Sequence, residues 1–242
     1  MSLTQLDHDH SPVGIRDRLS RTPSASYLRD WVYGGIDGAV TTFAIVAGVV
    51  GADMSSRVIL ILGVANLLAD GFSMAAGNYS GTKAEADERA QLAANEERHI
   101  KLYPDGEREE VRQILEAKGL SGATLEDAVR SITASEKTWI ELMLREEYGI
   151  AGTTKDPRWA AAATFAAFVV CGIVPLMPFL LDAPAAFPLA CVMTAGVFFA
   201  IGSLKSRWAL ASWWISGLET LLIGSAAAGV AYGIGALLDA VV

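Results

Sequence analysis

The sequence predicts an all-α membrane protein with five transmembrane helices and a cytoplasmic helical insert between spans 2 and 3. Three observations carry that fold class. The 242-residue chain is 52% hydrophobic, with a mean hydropathy of +0.36, and only 19% charged, against about 25% in ordinary soluble domains. Apolar runs near or above the ~20 residues that a bilayer requires stand at about 31–52, 58–79, 159–181, 185–204 and 209–238. Between the second and third runs, residues 80–158 are polar and rich in Glu.

Taken in order, residues 1–30 are polar and lack an apolar core of the secretory-signal kind, so they read as a flexible cytoplasmic tail. "DHDH" at 7–10 reads as part of that solvated tail, not as a metal site. Residues 31–79 hold the first two spans, 80–158 the cytoplasmic domain and 159–242 the last three spans. In the insert, 80–102 continues the second span as one helix, because nothing punctuates the chain after Gly81. "YPDG" at 103–106 predicts a turn, Glu107–Lys118 a helix stopped by Gly119, and 121–149 one or two further helices closed by Gly149. Pro175 and Pro178 should kink or break the third span near its end. Trp208, Trp213 and Trp214 suit a headgroup-level start to the fifth.

Orientation follows from the bases. Arg57 alone lies on one side, and the other eighteen of nineteen Lys and Arg lie before span one, in the insert, or at Lys205 and Arg207. Cytoplasmic loops carry that excess, which places the N-terminus and insert inside. The short loops favour a bacterial inner membrane, or a vacuolar-type membrane in a eukaryote. A formal charge of −8 argues against nucleic acid, which needs clustered bases. Cys171 and Cys191 sit in apolar runs, with no disulfide framework or Cys/His zinc spacing. No enzymatic activity and no prosthetic group are expected.

Three acids fall inside the spans: Asp37, Asp70 and Glu219. An acid near mid-bilayer costs roughly 2.5–3.5 kcal/mol on insertion scales, so it faces the bundle interior and has a function by default. Asn66, Asp70, Met74 and Asn78 recur every fourth residue, in one slowly turning stripe of the second span. Without basic partners at that depth, such acids must be protonated, hydrated or neutralised by a passing cation. Met74 adds a soft sulfur, which shifts the expectation towards a transition metal.

The insert repeats the theme. Glu85, Glu88, Glu96 and His99 lie at about 0°, −60°, +20° and −40° around one helix, a single stripe without Lys or Arg. Met143 and Glu147 pair a thioether with a carboxylate one turn apart. Together they point to a mixed carboxylate, imidazole and thioether site for a first-row divalent ion. "EERH" matches the Glu-x-x-His unit of di-iron bundles, but a complete di-iron centre needs two such units, and the sequence has one.

"GGIDGAVTTFAIVAGVVGA", "ANLLADGFSMAAGNYSGTKAEAD", "EERHIKLYPDGEREEVRQILEAKGL", "WIELMLREEYG" and "CGIVPLMPFLL", in that order over residues 28–238, resemble the vacuolar iron transporter (VIT) family. The resemblance implies a homodimer of five-span protomers that exports Fe²⁺ from the cytoplasm in exchange for protons. It implies that Asp37 and Met74 are the acid and methionine of the family's first two spans. Glu85, Glu88, Glu96 and His99 would take its four glutamate positions, and Met143 and Glu147 its Met-Met-x-x-Glu segment. His99 stands where glutamate is typical, Leu144 replaces the second methionine, and Asn66 occupies a position often glutamate in eukaryotic members.

The expectation is a secondary transporter of Fe²⁺, with Mn²⁺, Co²⁺ or Zn²⁺ as further candidates, serving iron storage or detoxification. Its path would use Asp37, Asn66, Asp70, Met74 and Glu219, loaded from the insert. The rival is a membrane-anchored metal-binding or di-iron redox protein that transports nothing.

Overall fold

A computed structural model describes residues 9–20, 25–150, 152 and 154–241, and its regular elements are all helical. They are α1 (Pro12–Ser20), α2 (Leu28–Gly51), α3 (Ser56–Leu102), α4 (Pro104–Ala117), α5 (Gly122–Thr133), α6 (Glu136–Glu146), α7 (Pro157–Gly172), α8 (Met177–Leu180), α9 (Ala186–Lys205) and α10 (Trp213–Asp239). Short 3₁₀ turns at Val174–Leu176 and Ser206–Trp208 complete the series. Five helical segments are long and apolar enough to cross a membrane: α2, the first part of α3, Pro157–Leu180, Ala186–Trp208 and α10. The chain divides into two compact units. One comprises Ser26–Glu85 and Lys155–Val242; the other comprises Ala86–Thr154 with the described part of the N-terminal segment.

In the apolar unit α2 is the central helix. Its buried side runs from Val32 through Ala39, Phe43 and Val46 to Val49, into a core shared with Ile59, Phe168, Leu176, Phe198 and Ile201. Gly34 and Gly38, four residues apart, let α7 come against the α2 backbone. A Cβ on Gly38 would run into the carbonyl oxygen of Phe168. Packing of this kind holds apolar helices together where hydrophobic burial gives no drive between them. The third span breaks where its prolines stand: α7 stops at Gly172, Pro175 lies in the 3₁₀ turn and Pro178 in the first turn of α8. The fifth span begins later than position 209. Ala209 is extended and α10 starts at Trp213 behind Ser212.

The other unit packs α4, α5 and α6 around Val111, Leu115, Leu125, Val129, Trp139, Leu142 and Met143, with Ile100 of α3 against them. One expectation fails here. "YPDG" is not a four-residue turn: Tyr103 alone, at φ −137° and ψ 55°, separates α3 from α4. Pro104 takes the first position of α4, where a fixed φ suits the helix and a missing N–H costs nothing. Asp105 and Glu107 fall in the first turn, where negative charge meets the positive end of the helix dipole. Gly119, at φ +93°, ends the α4 segment as its position predicted. In the tail, Ser11 Oγ accepts from the N–H of Gly14 (3.1 Å) at the start of α1; Asp7 and His8 of "DHDH" lie outside the described residues.

Candidate metal centre and intramembrane path

The single-residue break at Tyr103 folds α4 back beside the end of α3. Glu96 and His99 of α3 therefore meet Glu107 of α4, and one ligand atom of each lies within 4.8 Å of the others. His99 Nδ1 is 3.6 Å from Glu96 Oε1 and 3.6 Å from Glu107 Oε1. Tyr148, just past α6, donates its hydroxyl to Glu96 Oε1 at 2.9 Å. Glu96 is 1% exposed and Glu107 6%, yet Oε2 of each is buried without a hydrogen-bond partner. A buried carboxylate oxygen left so costs the desolvation of that group and invites a cation.

The electrostatics agree. Burial pushes the Glu107 carboxyl up from 4.5 to about 7, with the charges of Glu110, Glu96 and Glu147 adding to it. Burial likewise raises Glu147, helped by Glu96 and Glu110 and opposed by a hydrogen bond with Tyr148. Burial and the bond to Glu96 raise the Tyr148 phenol, so it stays a donor. Imidazole with two or more carboxylates suits a first-row divalent ion.

Of the residues singled out in the sequence, Glu96 and His99 belong to this group of three. Glu147 acts on it through its charge. Met143 is fully buried in the hydrophobic core of the same unit. Glu85 and Glu88 are exposed on α3. Glu107, Glu110 and Tyr148 were missed. Glu107 carried a signal in its place in the first turn of a proline-started helix. Tyr148 carried none, since its partner is 52 residues away.

In the apolar unit the stripe on α3 is visible in its burial. Asn66, Asp70, Met74 and Asn78 are all half-buried, while Leu68 and Phe72 on other faces are exposed. The stripe faces α2. Asn66 Nδ2 donates to Thr41 Oγ1 at 3.2 Å, and Asn78 Nδ2 donates to Asp30 Oδ1 at 3.2 Å. Between those rungs, Asp37 and Asp70 stand close enough for the charge of one to act on the other. Neither has a basic partner among the described residues.

A sequence model of the VIT family matches residues 28–236, most of the chain. The chain belongs to the VIT family. It is 34% identical over 231 residues to a vacuolar iron transporter of Toxoplasma gondii, covering 90% of this chain and 76% of that one. It is 33% identical over 211 residues to vacuolar iron transporter 2 of Oryza sativa, covering 85% of each. To vacuolar iron transporter 1 of Arabidopsis thaliana it is 31% identical, covering 85% of this chain and 83% of that one.

The third acid of the VIT-family spans is placed differently from the other two. Glu219 is 58% exposed and paired with Lys205, whose Nζ lies 3.1 Å from its Oε2. The absence of bases at that depth, expected from the sequence, therefore does not hold at Glu219. The long stem of a lysine in the last turn of α9 reaches the second turn of α10.

Proposed function

We propose that this VIT-family chain is a secondary transporter that carries Fe²⁺ out of the cytoplasm in exchange for protons. Mn²⁺, Co²⁺ and Zn²⁺ are its further candidate substrates. The observation that carries the proposal is the juxtaposition of Asp37 and Asp70 on facing helices, half-buried in an apolar bundle and without a basic partner among the described residues. Two such carboxylates are an expensive feature in a mere anchor and a useful one where a cation passes. Met74, one turn from Asp70 in the same stripe, supplies a soft ligand. Its relatives' names support iron as the cargo.

The insert would load the path. Glu96, His99 and Glu107 hold the ion, with the charge of Glu147 acting beside them, while the exposed Glu85 and Glu88 of α3 and the core-packed Met143 stand outside that group. Proton and metal compete for the same carboxylate lone pairs, so metal uptake at either place releases protons. That competition is the physical basis for exchange. The N-terminus and insert would face the cytoplasm, following the bases, and two such chains would form a homodimer.

The test is Fe²⁺ uptake into proteoliposomes with an acidic lumen, for wild type and Asp70→Asn together. Uptake by wild type that needs the proton gradient, and its loss in a folded Asp70→Asn that still binds metal through the insert, is expected. If neither protein moves iron while both bind it, the chain is a tethered metal-binding protein and transport is refuted.

A further inference from the structure

The half-buried stripe does not end at Met74. Beyond it a cavity of about 470 Å³ is lined by Arg29, Asp30, Tyr33, Met74, Asn78, Lys155 and Thr164. Its polar wall is built around Asp30, whose side chain is 11% exposed. Oδ1 accepts from Asn78 Nδ2 at 3.2 Å, and Oδ2 accepts from Lys155 Nζ at 2.8 Å. Asn78 is itself fixed: its amide nitrogen also lies 2.7 Å from Thr164 Oγ1 and 3.2 Å from the carbonyl oxygen of Ala160, so its two hydrogens are shared among three acceptors. Its carbonyl accepts from Thr82 Oγ1 at 3.2 Å. The acid is held rigidly on one side and closed by an ammonium on the other.

Lys155 is placed differently from its partner. It sits outside any helix, one residue before Asp156, whose carboxylate caps α7 by accepting from the Arg158 N–H. The Asp156 N–H donates to the Tyr27 hydroxyl at 3.1 Å, which fixes the backbone beside Lys155. The Lys155 side chain as a whole is 31% exposed. The other base of the cavity, Arg29, lies over the Trp208 ring at 5.8 Å and leaves Asp30 to Lys155.

The geometry points to a gate. The Lys155 ammonium guards the cavity by occupying Asp30 Oδ2, and a divalent cation opens it by taking that carboxylate. Lysine suits the task as a compact, strongly hydrated charge on a flexible stem, which leaves for water more readily than a bidentate arginine. Asp30 then becomes a cation site one step before Met74, with the Asn78 carboxamide beside it. The gate rests on the transport reading above, because it needs a cation to arrive.

The experiment is initial-rate Co²⁺ and Fe²⁺ uptake in proteoliposomes. It compares wild type, Lys155→Met, Lys155→Arg, Asp30→Asn and the Asp30→Asn/Lys155→Met double variant. Removing the tethered competitor lowers the KM for metal about threefold to tenfold with kcat kept, the worth of a partly buried ion pair. Lys155→Arg, whose guanidinium holds Asp30 more firmly, raises KM above wild type, and Asp30→Asn raises KM whether or not Lys155 is replaced. An unchanged KM in Lys155→Met overturns the gate. So does loss of uptake in Lys155→Met with full recovery in Lys155→Arg, which marks the pair as a structural staple. A wild type that moves no metal overturns the transport reading and the gate with it. A wild type that moves metal with a KM indifferent to residue 155 overturns the gate alone.

Discussion

Glu107→Gln separates what the insert's fold needs from what a metal needs. Glutamine keeps the shape of the side chain and removes its charge. With an ordinary value of 4.5 and a folded value of about 7, the folded metal-free protein holds a proton on Glu107 that the unfolded chain has released. Stability is therefore full below pH 4.5 and is lost as pH rises towards 7 and beyond. The 2.5-unit gap is worth about 3 kcal/mol when that carboxyl is wholly ionised. Glu107→Gln removes that cost. The metal-free variant should be more stable than wild type at pH 8, by up to about 3 kcal/mol, and nearly equal to it at pH 4.5.

Metal affinity should move the other way. Loss of a second-sphere partner typically costs about 10- to 100-fold, so loss of a direct carboxylate should cost on the order of a hundredfold or more. The wild-type affinity should also rise with pH up to about 7, as the proton leaves Glu107, and that rise should flatten in the variant. Thermal unfolding of the full chain in detergent with chelator, at pH 4.5 and 8, gives one arm; Co²⁺ titration calorimetry gives the other. A Glu107→Gln protein that is less stable than wild type at pH 8, or that binds Co²⁺ as well, would refute the reasoning.

Three substitutions probe the remaining contacts. Gly38→Ala drives a Cβ into the Phe168 carbonyl and should destabilise the bundle by about 1–3 kcal/mol, seen as a lower midpoint in detergent without change in metal binding by the insert. Tyr148→Phe leaves Glu96 Oε1 without its hydroxyl donor and should weaken Co²⁺ binding about tenfold; unchanged calorimetry would show that Tyr148 does not orient Glu96. Glu219→Gln breaks an exposed ion pair with Lys205 and should change stability by less than about 1 kcal/mol. If it also preserves iron uptake, Glu219 stands outside the path.

What the sequence revealed follows from the range of the physics involved. The spans rest on local composition and emerged with boundaries shifted by a few residues; the α3 stripe rests on helical period and emerged intact from Asn66 to Asn78. Glu96 and His99 are three apart on one helix, so their meeting was visible. Their meeting with Glu107 was hidden, because it depends on whether the chain turns over four residues at "YPDG" or reverses at Tyr103. Asp30 was read as lying just outside the first span. Only the approach of Asn78 and Lys155, 48 and 125 residues away, gives it a role.

The insert treats its acids in two ways. On its surface, Glu97 pairs with Lys101, Glu109 and Glu126 with Arg112, Asp127 with Arg130, Glu141 with Arg89 and Glu146 with Lys118. At Glu96 and Glu107, where burial makes an unpaired charge most costly, no lysine or arginine is paired with either acid among the described residues, and two carboxylate oxygens stay unsatisfied. A unit built for stability alone would distribute its bases the other way. The cost is removed by whatever cation binds there, so metal and fold must be linked. At about 100 times its Kd, a divalent ion that binds only the folded insert should stabilise it by about 2.7 kcal/mol. Amide hydrogen exchange across residues 86–150, with and without Co²⁺, measures this directly. Protection that rises around Glu96, Glu107 and Tyr148 on adding metal, and is lost in Glu107→Gln, follows from the linkage. Exchange indifferent to metal would mean that the buried acids hold protons and nothing else.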